Sequence, residues 1–436
     1  MTGRRPYQEY KAASIPWLAT IPKNWEVQPL FSAASERKVK NLGMRERNLL
    51  SLSYGQIVRR DINSNEGLLP ESFETYQIVD RGDIVLRMTD LQNDQRSLRS
   101  ALVRERGIIT SAYIAVRPQS INPCFLDYLM RAYDVQKVFY AMGGGLRQSL
   151  KFEELRRLRL VIPSQPEQIG IVRFLDRETT RIDTLIAKKT RFIELLKEKR
   201  QAVITKAVTK GLDDSVELRD SGLKWLGKVP EHWPVLACKY ACSLIKDGTH
   251  LPPPRVEGGV PLLSVRNVQD GRFNFRSDDS TISESDYIEL CRSFKPEAND
   301  ILLAIVGATI GKTAVVPDNM GRFHIQRSLA VFRVNQIVNH LFLHYVFQSA
   351  GYQQLLWEGI GFSAQPGVYL GALSNFRIPA PPLDEQLRIV DYIGEKTRRT
   401  DTLIAKTERS IELLKEHRSA LITAAVTGKI DVREAA

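Results

Sequence analysis

Residues 167–211 read EQIGIVRFLDRETTRIDTLIAKKTRFIELLKEKRQAVITKAVTKG, and residues 385–429 read EQLRIVDYIGEKTRRTDTLIAKTERSIELLKEHRSALITAAVTGK. At a fixed offset of 218, with no gap, they agree at 26 of 45 positions. Chance does not produce that agreement, so the chain is internally duplicated. Each copy carries a helical period. In the first, Ile182, Ile186, Ile193, Leu196, Val203 and Ala207 recur at three-and-four spacing, and Leu185, Phe192 and Leu195 widen the stripe. In the second, Leu403, Ile404, Ile411, Leu414, Leu421 and Ala425 do the same. Charges such as Lys188, Arg191, Lys197 and Lys199 fill the remaining face. No proline interrupts either copy, and Gly211 and Gly428 stand where a helix should stop. About 40 residues at 1.5 Å each make a rod of about 60 Å. A small domain cannot cover such a rod, so it needs a second apolar stripe. The other copy supplies one, and an antiparallel intramolecular coiled coil is expected.

The duplication extends outward. Trp17-Leu18, Ile21-Pro22 and Trp25 recur as Trp225-Leu226, Val229-Pro230 and Trp233, at an offset of 208. Gly82-Asp83-Ile84-Val85-Leu86 matches Asn299-Asp300-Ile301-Leu302-Leu303 more weakly. Between these anchors, roughly 40–150 and 245–365, the copies share little, so two copies of one frame hold two different inserts. The inserts mix strands (Ile108–Val116, Ile301–Val306, Ala330–Val334) with helices (Phe125–Tyr140, Asn339–Trp357), punctuated by turns at Arg81-Gly82-Asp83 and Asp270-Gly271. The expected fold class is α+β: two mixed α/β domains, 1–161 and 213–377, joined by two long helices, 162–212 and 378–436, with an internal pseudo-twofold duplication. The first unit ends Gly211-Leu-Asp and leads into Leu223-x-Trp225, whereas the chain ends Lys429-Ile-Asp and begins before Ile15-x-Trp17. The two ends of the sequence should therefore lie close together.

Composition sets the class of partner. The 436 residues carry 62 Lys+Arg against 50 Asp+Glu, a net charge of +12. Residues 1–160 hold +8 of it. A local cationic excess points to a polyanion, most simply nucleic acid. Four cysteines without a CxxC pair make no disulfide framework and suit a reducing cytoplasm. The apolar stretch from Ile301 to Gly311 is too short to cross a bilayer. Arg4 and Arg5 are followed by polar residues rather than an apolar run, so neither secretion nor membrane insertion is expected.

Catalytic chemistry is conspicuously missing. Gly307-Ala-Thr-Ile-Gly311-Lys312-Thr313 resembles a phosphate loop, but three residues separate the glycines where the motif needs four. His340 and His344 are four apart, yet no Glu follows His340, so zinc hydrolysis fails and two satisfied helix histidines are expected. Cys238 and Cys242 flank an apolar stretch and should be buried. Asn122-Pro123-Cys124-Phe125 starts a helix; the second Pro of an amino-methyltransferase element is missing. Asp278, Asp279, Glu284 and Asp286 form an acidic loop without a nuclease Glu-x-Lys, expected to be solvated. A large, duplicated, basic chain without a reaction centre is expected to bind rather than to catalyse.

These residues together resemble the specificity subunit of type I restriction-modification systems. The likeness rests on Trp225-Leu226-Gly227-x-Val229-Pro230-x-His232-Trp233 and its counterpart at 17–25. It rests too on Ile378-Pro379-x-Pro381-Pro382-x-x-Glu385-Gln386 and Ile162-Pro163-x-x-Pro166-Glu167-Gln168 at the helix starts. The paired Leu-Ile-Ala-Lys and Glu-Leu-Leu-Lys-Glu runs complete it. In the first unit Arg87-Met88-Thr89-Asp90-Leu91-Gln92-Asn93 stands in place of the Gly-Lys-Thr loop, implying that the inserts read different sequences. The resemblance implies that each insert is a target recognition domain reading one half of a bipartite site in double-stranded DNA. It implies a coiled coil that spaces the readers, and a chain that is itself no enzyme. It also implies two modification (methyltransferase) subunits, which carry S-adenosylmethionine, and restriction/motor subunits; the chain needs no cofactor, metal or membrane of its own. Phosphate contacts call for Lys and Arg, and base reading for Arg, Asn, Gln, Ser, Thr and similar donors at loop tips. The candidates in the first insert are Arg59, Arg60, Arg87, Thr89, Asn93, Arg96, Arg99, Thr110 and Ser111. In the second they are Lys246, His250, Arg266, Asn267, Lys312, Thr313, Gln326 and Arg327.

Overall fold

The computed structural model describes residues 5–63, 70, 72–92, 98–142, 149–269, 271–360 and 367–433. The chain forms two compact units, Met1–Thr190 with Arg409–Ala436, and Arg191–Glu408. The long helices run over Gln165–Lys210 and Leu383–Val426. Each unit thus takes the start of one long helix and the end of the other.

In the first unit a four-stranded antiparallel sheet has the order Ala34–Glu36, Ile114–Pro118, Ile84–Leu86, Ser100–Leu102. The helix Pro123–Val135 packs behind it through Phe125, Leu126, Leu129 and Tyr133. That helix starts where the sequence indicated. The Asn122 side chain accepts from the N–H groups of Cys124 and Phe125, and Pro123 occupies the first turn, where no backbone donor is needed. The second unit builds the same sheet from largely different residues: Cys242–Asp247, Leu329–Val334, Ile301–Ala304, Thr313–Val315. Its helix His340–Gln348 is capped by Asn339 in the same way.

The frame recurs in both units, with a change of partner at the Glu. The Gln of each Glu-Gln pair locks the capped helix to the long helix: the Asn122 N–H donates to the Gln168 side chain at 2.8 Å, and the Asn339 N–H to that of Gln386 at 2.7 Å. The Glu anchors the Trp motif. Buried Glu167 accepts from Trp25 Nε1 at 3.0 Å and Tyr7 at 2.7 Å, and Glu385 meets His232 at 2.9 Å. A buried aspartate ties neighbouring strands: Asp83 binds Arg117, and Asp300 binds Arg333.

The helices pair antiparallel inside each unit. In the first, Gly428 lies against Trp25, which bonds Glu167, while Arg418 binds Asp183 at 2.9 and 3.2 Å. In the second, Gly211 lies against Glu385, and Arg200 binds Asp401 at 2.9 Å. Adding 218 turns Asp183 into Asp401 and Arg200 into Arg418, so one ion pair occurs twice. These pairs are partly solvated and contribute at most about 1 kcal/mol each. Burial of a side chain such as Ile182, Ile204, Ile393 or Ile422 contributes roughly 2 kcal/mol. The apolar seam therefore holds the helices and the ion pairs fix their register. The seam is narrower than the sequence suggested: Leu185, Phe192 and Leu195 remain 42–47% exposed.

Three elements differ from expectation. The strand expected over 108–116 is two strands, Gly107–Ile109 and Ile114–Pro118, parted by a turn in which Tyr113 N–H bonds the Thr110 carbonyl. The helix expected over 125–140 breaks at Gln136-Lys137, where Lys137 adopts φ 61°. The helix expected over 339–357 breaks at Ser349, whose ψ of 145° is extended. Hydrophobic period survives such breaks, so sequence pattern alone runs through them.

The expected meeting of the ends is present: Asp431 N–H donates to the Arg5 carbonyl at 3.0 Å, and Tyr10 Oη to the Gly428 carbonyl at 2.9 Å.

Candidate nucleic-acid interface

Antiparallel pairing brings particular loops to one end of each sheet. In the first unit that end carries the segments after Glu36, between Leu86 and Ser100, and before Ile114. In the second it carries those after Asp247, between Ala304 and Thr313, and before Leu329. Gln326 N–H bonds the Leu263 carbonyl, which adds the turn 264–267 to the second set. The Arg87–Gln92 segment and the Gly307–Thr313 loop thus occupy the same hairpin of the same sheet.

Most candidates gather there. In the first unit half-buried Arg87, Thr89 and Thr110 and exposed Ser111 lie at this end. Asn93 and Arg96 lie outside the described residues. In the second unit His250 and Arg327 are exposed, and Lys246, Arg266, Lys312 and Gln326 half-buried. Several are already engaged. Lys246 donates to Ser293, and His250 pairs with Asp247. Arg266 binds Asp278 at 3.1 Å and Asp279 at 2.8 Å. Asp279 also accepts from Asn267 and from Arg276 N–H; partial burial works against its charge, but these hydrogen bonds win and hold its carboxyl below the usual range. Within the acidic loop Asp279 is therefore an organised brace, whereas Asp278 and Glu284 stay solvated as expected. Arg59 and Arg60 sit instead on the hairpin Leu50–Ser53/Gln56–Arg59, where Arg59 grips Glu105.

Three candidates require correction, because they are buried. Arg99 has no exposed surface; its guanidinium donates to the carbonyls of Thr89 at 2.6 Å and Asp90 at 3.1 Å. It braces the hairpin from within. Asn267 bonds the Asn274 carbonyl and Asp279. Thr313 faces His344. A loop whose carbonyls turn inward needs buried donors, and such residues read as surface donors in sequence.

The expected decoys behave as structural residues. Cys238 and Cys242 are buried, and burial pushes both thiols up, Cys242 to about 12. His344 is buried and its pKa is lowered to about 4 by desolvation, aided by Arg200 and His340. No group of ligating side chains that could hold a metal ion occurs among the described residues. No helix among them is long and apolar enough to cross a membrane.

Sequence reasoning missed two features. The first is an open cleft of about 1250 Å³ in the second unit, lined by Lys197, Arg200, Arg272, Lys312, Gln353 and Arg398 among others. No motif marks it, because its wall comes from five segments distant in sequence. The second is a repeated apolar set on the outer helix faces. The first unit exposes Ile169, Leu185 and Leu413; the second exposes Leu387, Leu403 and Leu195, the same three positions shifted by 218.

Residues 253–413 match the family described as Type I restriction modification DNA specificity domain. The chain is 24% identical over 371 residues to the type I restriction enzyme MjaVIII specificity subunit of Methanocaldococcus jannaschii, covering 82% of this chain and 81% of that one. It is 23% identical to the putative MjaX specificity subunit of the same organism, covering 95% and 96%. It shares its fold, at a TM-score of 0.68 and 17% identity, with a chain of a solved structure on assembly and conformational transition of the type I R-M system, covering 94% and 99%. The duplicated frame, the paired inserts and these likenesses together make the chain similar to type I restriction-modification specificity subunits over most of its length.

Proposed function

We propose that this chain is a type I restriction-modification specificity subunit, that it reads a bipartite DNA target, one half with each insert, and that it is itself no enzyme. The observation that carries this is the pair of like sheets whose corresponding ends carry unlike loops. A shared frame with divergent loop tips suits two readers of different sequence. The readers lie within 1–161 and 213–377, and the helices 162–212 and 378–436 space them. Backbone phosphates would be met by exposed Arg and Lys around the sheet ends, and base edges by the loops.

The repeated apolar set, one on each unit, supports docking of two copies of one partner. Methyltransferase subunits that bind S-adenosylmethionine and modify the DNA fit that role, and restriction/motor subunits complete the assembly in the cytoplasm. In this reading the chain supplies no cofactor chemistry.

Mapping of methylated positions in cells with and without the gene tests the reading. The expected result is a two-part motif that disappears with the gene, and of which only one half changes when residues 307–312 are replaced. A motif that persists without the gene would overturn it.

A further inference from the structure

The break at Ser349 is held by the first long helix. Gln201 Nε2 donates to the Gln348 carbonyl at 2.5 Å, and Ala350 N–H donates to Thr205 Oγ1 at 3.0 Å. From this elbow two arms reach the hairpin tip. In one, the Gln348 side-chain amide donates to His344 Nε2 at 2.6 Å, and His344 Nδ1 meets Thr313 Oγ1 at 3.4 Å. In the other, Gln353 Nε2 donates to the Gly311 carbonyl at 2.9 Å and to the Phe347 carbonyl at 2.6 Å. The fit against Gly311 is tight: a Cβ there would stand 2.1 Å from Gln353 Oε1. Lys312 lies between the two attachment points and lines the cleft.

Among the described residues, the first unit shows no such clamp at the corresponding positions. Asp127 and Arg131 stand 217 residues before His344 and Gln348, and Ser419 stands 218 after Gln201. There Arg99 braces the equivalent hairpin from inside.

We propose that Gln201, Gln353 and His344 are positioning residues for sequence recognition by the second reader, tying the hairpin tip 307–312 to the long helix. Base discrimination in one half of the target then depends on side chains that touch no DNA. This rests on the DNA-reading function proposed above. A hydrogen-bonding loop reads a base only when its donors are held within a fraction of an ångström, and a shift of 1 Å is felt as a large loss.

The test uses the complex with its modification subunits, and the variants Gln353→Met and Gln201→Met, which keep volume and remove donors. Methylation kcat/KM is measured on duplexes carrying single base changes in either half, across a salt series. The second reader's half is the one that changes when 307–312 is replaced. The expected result is about a tenfold loss of discrimination in that half, with the other half within twofold and the salt slope unchanged. Intact discrimination with a lowered unfolding temperature would mean a merely structural clamp and overturn the proposal, as would equal loss in both halves. If Gln353→Met does not fold, Gln201→Met, on the half-exposed flank of the long helix, gives the same reading. A wild-type complex without any base discrimination would instead remove the DNA-reading function itself.

Discussion

Acid should loosen the second reader through His344. The imidazole lies against Thr313 and Gln348, with Nε2 accepting from the Gln348 amide, an arrangement open only to the neutral ring. Burial, aided by Arg200 and His340, lowers its pKa to about 4. The unfolded chain titrates near 6.5, so below that pH the unfolded state binds the proton that the folded state refuses. Stability contributed by the neutral ring is therefore whole above pH 6.5 and falls as pH drops towards 4. Between those values each pH unit costs about 1.4 kcal/mol, or about 2 kcal/mol in all at pH 5. For a unit of this size that is a drop in Tm of roughly 4–8 °C. Burial also lowers the pKa of His324 and His340, so the wild-type slope is a sum. The variant His344→Gln isolates one share. Thermal unfolding of wild type and variant from pH 7.5 to pH 5 should show the two converging as pH falls, the wild type losing about 2 kcal/mol more. Parallel pH profiles would refute the neutral, buried histidine.

The paired glycines should respond unequally. Both adopt left-handed φ, but a Cβ at Gly428 would lie 2.3 Å from the Pro22 ring, whereas one at Gly211 meets nothing nearer than 3.3 Å. Gly428→Ala should therefore destabilise by roughly 1–3 kcal/mol more than Gly211→Ala, read from denaturant midpoints; equal shifts would contradict the packing. If the helices space the readers, removing 188–194 together with 407–413 shortens each by about 10 Å, or about three base pairs. The gap in the methylated motif should contract accordingly, and an unchanged gap would end the spacer idea. A permutant joining residue 433 to residue 5 and opened at 214–216 should fold and support methylation, because Arg5 and Asp431 already share a hydrogen bond. Loss of folding would show that the existing link between Gly211 and Leu218 is required.

The frame was legible because its determinants are local or repeated. The 3.6-residue period gave both long helices, the glycines gave their ends, and Asn122-Pro123 gave a helix start from three residues. Comparison of the copies then marked Glu167, Gln168 and their partners, although what each side chain does became apparent only from its neighbours. The readers were far less legible. Only Asp83 with Ile84–Leu86, matched to Asp300 with Ile301–Leu303, hinted that the inserts hold the same sheet. The offset between copies grows from 208 at Trp25/Trp233 to 217 at Asp83/Asp300, so intervening loops of unequal length hide the equivalence. Polarity misled at Arg99, Asn267 and Thr313, since a buried donor and a surface donor are the same residue type.

Divergence of the inserts follows from what the sheet requires. Its strands are fixed by backbone pairing and by one buried Asp–Arg tie, both indifferent to the identity of most side chains. The loops at the reading end need only be held, and different fasteners serve: an internal arginine fork in the first unit, an elbow with two glutamine arms in the second. A loop and its fastener must change together, because the fastener bonds particular carbonyls of that loop. Exchange of a loop alone between readers would leave buried Arg99 or half-buried Gln353 without its acceptors, a loss of about 1–3 kcal/mol for the buried arginine and less for the glutamine. Whole readers with their fasteners are thus the natural units of exchange, and the frame, which enters the second fastener only through Gln201 and Thr205, is otherwise free to stay the same.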